Sequence, residues 1–207
     1  MESASIKAQE AQDVLHLAVG RMRDLGADFA DARSQTVRVT GASTINGDLK
    51  QLVQKSTGGV CLRAWSGGRW GYGTSTSFDR EAVLRAAEEA AANAKGDGIP
   101  GLELEPAVVR GDHRAKVRIH PDSVDLTEKI QAALDIDRAQ AIDDRIINRA
   151  GAYSEEIKTN ALVNSAGSDL SWEEVRTLCR AMSIAADGQR MEQYYDCLLY
   201  TSDAADD

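Results

Sequence analysis

Apolar residues at Ala11, Val14, Leu15, Ala18, Val19, Met22 and Leu25 recur every three or four positions, and Gly26 follows them as a stop. The spacing predicts an amphipathic helix over 6–25. From Phe29 to Gly73 the period falls to two, the alternation of a strand with one buried face. VRVTGAST and DLKQLVQKS flank Asn46-Gly47, a dipeptide that takes positive φ at low cost and predicts a tight hairpin. A second hairpin is expected at Gly67-Gly68, between GVCLRAW and RWGYGTS. Ser77 or Asp79 can cap the next segment, where Val83, Ala86, Ala87, Ala90 and Ala94 form a narrow stripe of small residues suited to close packing on a sheet.

Between Gly96 and Pro121 the periodicity disappears, and all three prolines of the chain, Pro100, Pro106 and Pro121, fall there with several glycines. This reads as a connector over 96–122. Beyond it a helix is expected over 123–143, carrying Val124, Ile130, Ala133, Leu134 and Ile142, followed by strands at 146–153, 156–164 and 174–186. The expected organisation is therefore a first helix, antiparallel sheet and helix block over 1–95, the connector, and a second helix-plus-meander block over 123–196. That plan allows an internal duplication. Two-residue alternation with helices set between the strands predicts an α+β fold, with helices packed on antiparallel sheet, rather than a parallel doubly wound one.

Composition narrows the function classes. The 207 residues are 43% hydrophobic, enough for one medium domain or two small ones with real cores. With 33 acidic against 24 basic side chains the formal charge is −9, which repels nucleic acid and anionic lipid surfaces. No apolar run approaches the roughly 20 residues that span a bilayer, and MESASIKAQEAQD lacks a secretory apolar region, so a cytoplasmic protein is expected. Cys61, Cys179 and Cys197 are far apart and form no Cys-x-x-Cys pair, which predicts reduced, buried thiols.

Candidate chemistry is sparse. His16, His113 and His120 show no zincin spacing; His16 falls on the polar side of the first helix, and an extended RAKVRI would hold the other two about 20 Å apart. The glycine-rich run at 58–73 lacks both the Gly-x-Gly-x-x-Gly frame and a following Lys-Ser/Thr. Glycines interleaved with Trp65, Trp70 and Tyr72 instead mark a tight hairpin whose aromatics cover a sheet face or contact a substrate or partner, such as an extended peptide added at a sheet edge. No serine sits in a nucleophile elbow. The adjacent acidic pairs, Glu155-Glu156 among them, are expected on solvated faces.

The order of these blocks carries a resemblance. GADFADARS, then INGDLKQLVQKSTGGVCLRAWSGGRWGYGTSTSFD, then AVLRAAEEAAANAK resembles the N-terminal domain of the TldD/PmbA metallopeptidases. VRIHPDSVDLTEKIQAAL and ALVNSAGSDLSWEEVRTLCRAMSIAADGQRMEQ resemble that family's second stretch, so the likeness runs over about 6–196. It implies a zinc peptidase acting on small or unfolded polypeptides, as a homodimer or a heterodimer of related subunits. The implied His-Glu-x-x-x-His motif belongs to a C-terminal domain and has no counterpart here, so no catalytic or metal-binding residue is assigned. On a regular helix two residues five apart are rotated by about 140°, so such a motif needs a local irregularity to converge on one metal. The last eleven residues, CLLYTSDAADD, break the preceding pattern without a closing strand and resemble the read-through of a sequencing adapter; 197–207 is therefore expected to be a non-native tail. The alternative reading is a stand-alone peptide-binding or regulatory module without catalysis.

Overall fold

The computed structural model describes residues 8–99 and 104–201. Its elements are α1 (Ala8–Asp24), β1 (Phe29–Ile45), β2 (Asp48–Ser66), β3 (Arg69–Ser75), α2 (Arg80–Asn93), β4 (Arg110–His113), a 3-10 turn (Pro121–Ser123), α3 (Leu126–Ala139), β5 (Ile146–Asn164), β6 (Asp169–Asp187) and β7 (Arg190–Thr201). The strands hydrogen-bond in the order β3-β2-β1-β5-β6-β4, with β7 also paired to β6. The fold is α+β. The β2–β3 and β6–β7 pairs are antiparallel, whereas β4 joins β6 in parallel.

The chain forms two compact units that do not follow the sequential division at 95 and 123: one takes 1–37, 57–114 and 158–173, the other 38–56, 115–157 and 174–207. Strands of 17 to 19 residues explain this, because β1, β2, β5 and β6 each give one end to each unit.

In the first unit the helical stripe of α1 (Leu15, Ala18, Val19, Met22) meets Ala30 and Ala32 of β1, Val60, Leu62 and Ala64 of β2, Ala161 and Val163 of β5, and the alanines of α2. Small residues let α2 lie directly on β3: a Cβ added at Gly73 would stand 1.9 Å from the Ala86 carbonyl oxygen, and one at Gly71 would stand 2.1 Å from that of Ala90. Arg21 of α1 donates to Glu88 of α2 through Nε (3.0 Å) and its second nitrogen (2.7 Å). Asp79 occupies the N-cap of α2, with Ser77 Oγ donating to its carboxylate at 2.6 Å.

The second unit is built around polar groups. Asn46 (φ 51°) and Gly47 (φ 86°) make the expected hairpin, and Gly47 N donates to Asp137 Oδ2 at 3.0 Å while Arg149 Nε donates to Oδ1 at 2.7 Å. Lys129 Nζ reaches Glu155 Oε1 at 2.7 Å, and the Tyr153 hydroxyl donates to Oε2 at 2.6 Å. Burial, reinforced by that carboxylate, raises the Tyr153 hydroxyl well above the ordinary phenol range. α3 can approach β5 closely because Gly151 has no Cβ; one there would lie 2.2 Å from the Ala133 carbonyl oxygen.

Several expectations need correction. The 146–164 region is one strand without a break, and β6 begins at Asp169. The helix expected over 123–143 is a 3-10 turn followed by α3, so Ile142 lies beyond it and is 82% exposed. Glu155 is 4% exposed, not solvated, because Lys129 and Tyr153 use both its oxygens. Cys61 and Cys197 are exposed, Cys61 because it alternates with the buried Val60 and Leu62, and Cys197 because β7 is exposed from Arg190 to Tyr200; Cys179 is half-buried, and burial pushes its thiol up. Residues 197–201 do not break the pattern: β7 continues through them in register, pairing Cys197 with Arg180 and Thr201 with Arg176. Residues 6–7 of the expected first helix, 100–103 of the connector with Pro100, and 202–207 of the tail lie outside the described residues.

Candidate functional site

Strand alternation sends the small residues of the first unit toward α1 and α2 and their neighbours to the opposite face. On β1 that face receives Phe29, Asp31 and Arg33; on β2, Arg63 and Trp65; on β3, Trp70 and Tyr72. The β2–β3 register places Trp65 opposite Trp70 and Arg63 opposite Tyr72. Asp31 is 3% exposed, and Arg63 Nε lies 3.0 and 2.9 Å from its two carboxylate oxygens, with the terminal nitrogen on Oδ2 as well. The same guanidinium stacks 4.9 Å from the Trp70 ring centroid. Asp31 raises the Arg63 guanidinium above its already high pKa, so this residue is a cation throughout. Phe29 meets Trp70 edge-on at 6.1 Å, and Trp65 tilts against it at 5.1 Å.

A segment over 104–109 crosses this face. It is held by Ser168, whose Oγ donates to the Ala107 carbonyl (3.0 Å) and accepts from Val109 N (3.0 Å), and by Asp169 N donating to the Val109 carbonyl at 2.9 Å. Between strap and sheet lies a cleft of about 350 Å³, walled by Phe29, Trp70, Leu104, Val109, Leu162 and Leu170, with Asp31, Arg33, Arg63 and Glu105 as its charged groups. An apolar cleft of this size with a few placed polar groups has the build of a ligand pocket. The second unit holds a larger cavity of about 700 Å³ lined by Lys116, Arg118, Ile119, Val175, Thr177 and Tyr200.

The three aromatic candidates occupy different environments. Trp70 lines the cleft; Trp65, 5% exposed, backs Trp70 and borders an adjoining hollow with Phe29 and Pro106; Tyr72 is 53% exposed. Asp31, Arg33, Arg63 and Phe29 were not singled out from sequence. Their only signal there is the alternation Phe29-x-Asp31-x-Arg33 and Arg63-x-Trp65, which marks common faces but not the cross-strand register that joins them.

The described residues do not fit a catalytic metal. Among them no group of three His, Cys, Asp or Glu side chains is placed to hold one. His16 Nε2 is 2.9 Å from Asp169 Oδ2, and His120 Nδ1 accepts from Asp122 N at 3.2 Å as the cap of the 3-10 turn.

Two family models match the chain, one after the other. Residues 30–94 match the model for PmbA/TldA metallopeptidase domain 1, and residues 119–206 match that for the PmbA/TldA metallopeptidase central domain. The chain belongs to the PmbA/TldD family. Solved structures with the same fold include a putative modulator of a DNA gyrase from Thermotoga maritima (TM-score 0.71, 18% identity, 90% of this chain and 42% of that one). A second, from Bacteroides thetaiotaomicron and also described as a putative modulator of DNA gyrase, gives a TM-score of 0.71 at 16% identity, over 90% and 44% of the two chains. TldE from Thermococcus kodakarensis gives 0.63 at 19% identity, over 90% and 42%. The chain thus spans about two-fifths of the length of these structures. No curated protein matches it in sequence. No helix among the described residues is long and apolar enough to cross a membrane.

Proposed function

We propose that this chain is the first and central domains of a TldD-type zinc metallopeptidase that acts on small or unfolded polypeptides in the cytoplasm, and that it guides substrate while the metal is held by a domain outside it. In this reading the assembly is a homodimer or a heterodimer with a related subunit. The observation that supports it is the pair of family matches in order, 30–94 then 119–206. The chain's own residues bind and orient; none of them performs a bond-breaking step. The cleft bordered by Trp70 also favours a second reading, a peptide-binding module without catalysis, in which Trp70, backed by Trp65, and exposed Tyr72 form the contact surface.

Sequencing the source locus past codon 196 and expressing the frame it contains separates the two. The peptidase reading expects a continuing frame with His-Glu-x-x-x-His, stoichiometric zinc and hydrolysis of unstructured peptides by the longer protein. A stop after Asp207, or a longer protein that binds peptide without cleaving it, leaves the binding module.

A further inference from the structure

We infer that the cleft between the 104–109 strap and the open sheet face is a recognition site for the free C-terminal carboxylate of a peptide ending in an apolar residue. The inference rests on the reading that this chain handles polypeptides. Asp31 is already satisfied by Arg63, which approaches both of its oxygens and is stacked on Trp70. Arg33, two residues along the same strand, is different: its side chain is 54% exposed and its Nε stands 3.8 Å from Asp31 Oδ1, beyond hydrogen-bond distance. Arg33 therefore borders an apolar pocket with only a long ion pair to Asp31 and no hydrogen bond to it. Its planar guanidinium fork matches a carboxylate in bidentate fashion.

The surrounding walls fix the rest of the ligand. Trp70, Leu162 and Leu170 suit an aliphatic or aromatic side chain, and the cleft's roughly 350 Å³ holds about one residue and its neighbour rather than a folded partner. An internal peptide segment would bring an apolar side chain but no charge to answer Arg33. Glu105, on the strap, is the opposing charge at the rim, and it disfavours an acidic last residue, which would bring a second carboxylate beside it. An apolar C-terminal residue with its α-carboxylate meets all three conditions.

The test uses the 207-residue chain and isothermal titration with one hexapeptide of neutral sequence ending in Leu, made as the free acid and as the C-terminal amide. The free acid is expected to bind about 5-fold more tightly than the amide, the upper end for a charge pair at a half-exposed side chain. Arg33→Gln should remove that difference, Arg33→Lys should keep part of it, and Glu105→Gln should strengthen acid binding. Equal affinity for acid and amide, or no binding of either by the unaltered chain, overturns the assignment without any variant having to fold. The two proposals fail separately. Zinc-dependent cleavage by the longer protein with no acid preference here removes this site alone; acid-selective binding with no cleavage removes the peptidase reading alone.

Discussion

Both units bury a carboxylate against a cation, and the way each pair is finished distinguishes a strut from a site. In the second unit Asp137 is fully buried, with one oxygen on the Gly47 backbone N–H and the other on Arg149, and Glu155 is likewise divided between Lys129 and Tyr153. In both pairs each carboxylate oxygen has a protein donor, and the groups tie α3 to the β1–β2 turn and to β5. In the first unit the Asp31–Arg63 pair is just as complete, yet it stands in the wall of a cleft with a second guanidinium, Arg33, half exposed beside it. A closed network holds strands in register; a donor left over beside a cleft is what the proposed ligand site uses.

The sharpest way to break this comparison is Asp137→Ala. It strands the Arg149 guanidinium and the Gly47 N–H together, and removing one partner of a buried pair costs about 3 kcal/mol or more. Urea denaturation should show that loss with little change in peptide binding. A loss below about 1 kcal/mol would mean that water replaces the carboxylate and the strut is not one.

Asp31→Ala should cost less, about 1–2 kcal/mol, because the Arg63 side chain it abandons is 30% exposed and keeps its stacking on Trp70. It should also disturb binding, since Arg63 would become a competing cation in the cleft. Stability and affinity measured on the same variant separate this position from Asp137, where only stability moves.

Much of this architecture was legible in the sequence. The α1 stripe, both glycine-containing hairpin turns and the alanine stripe of α2 each depend on spacing within one segment, and the chain displays such spacing directly. What was hidden depends on register between segments far apart in sequence. Glu155 reads as half of an acidic pair until β5 is laid against α3 and Lys129 comes within 2.7 Å of it. Arg63 reads as a polar position in an aromatic hairpin until β1 brings Asp31 alongside. The β7 strand was missed for another reason: all its residues from Arg190 to Tyr200 are exposed, so it has no buried face to impose alternation, and its pairing to β6 is set by the turn at Gly188.

Alkaline pH probes the closed network more gently. Burial and the Glu155 carboxylate raise the folded-state pKa of Tyr153 above its unfolded value. The protonated hydroxyl therefore contributes stability that is fully present below about pH 10, the ordinary phenol value, and is lost as pH rises through the folded pKa. Stability curves measured by urea unfolding should fall on the alkaline side of about pH 10 in the native sequence and fall less steeply in Tyr153→Phe. Identical alkaline slopes would mean that the hydroxyl does not hold Glu155 in place.

The smallest expected change in stability is also the one that separates site from strut most cleanly. Arg33→Gln removes an exposed guanidinium that makes no hydrogen bond to Asp31, so the unfolding free energy should stay within about 0.5 kcal/mol of the parent. Its effect on binding is the loss of the preference for a free C-terminal carboxylate. A loss of more than about 1 kcal/mol would show that Arg33 supports Asp31 in the fold, as Arg149 supports Asp137. The first unit's cluster would then be a closed network like the second unit's, and the distinction between them would vanish.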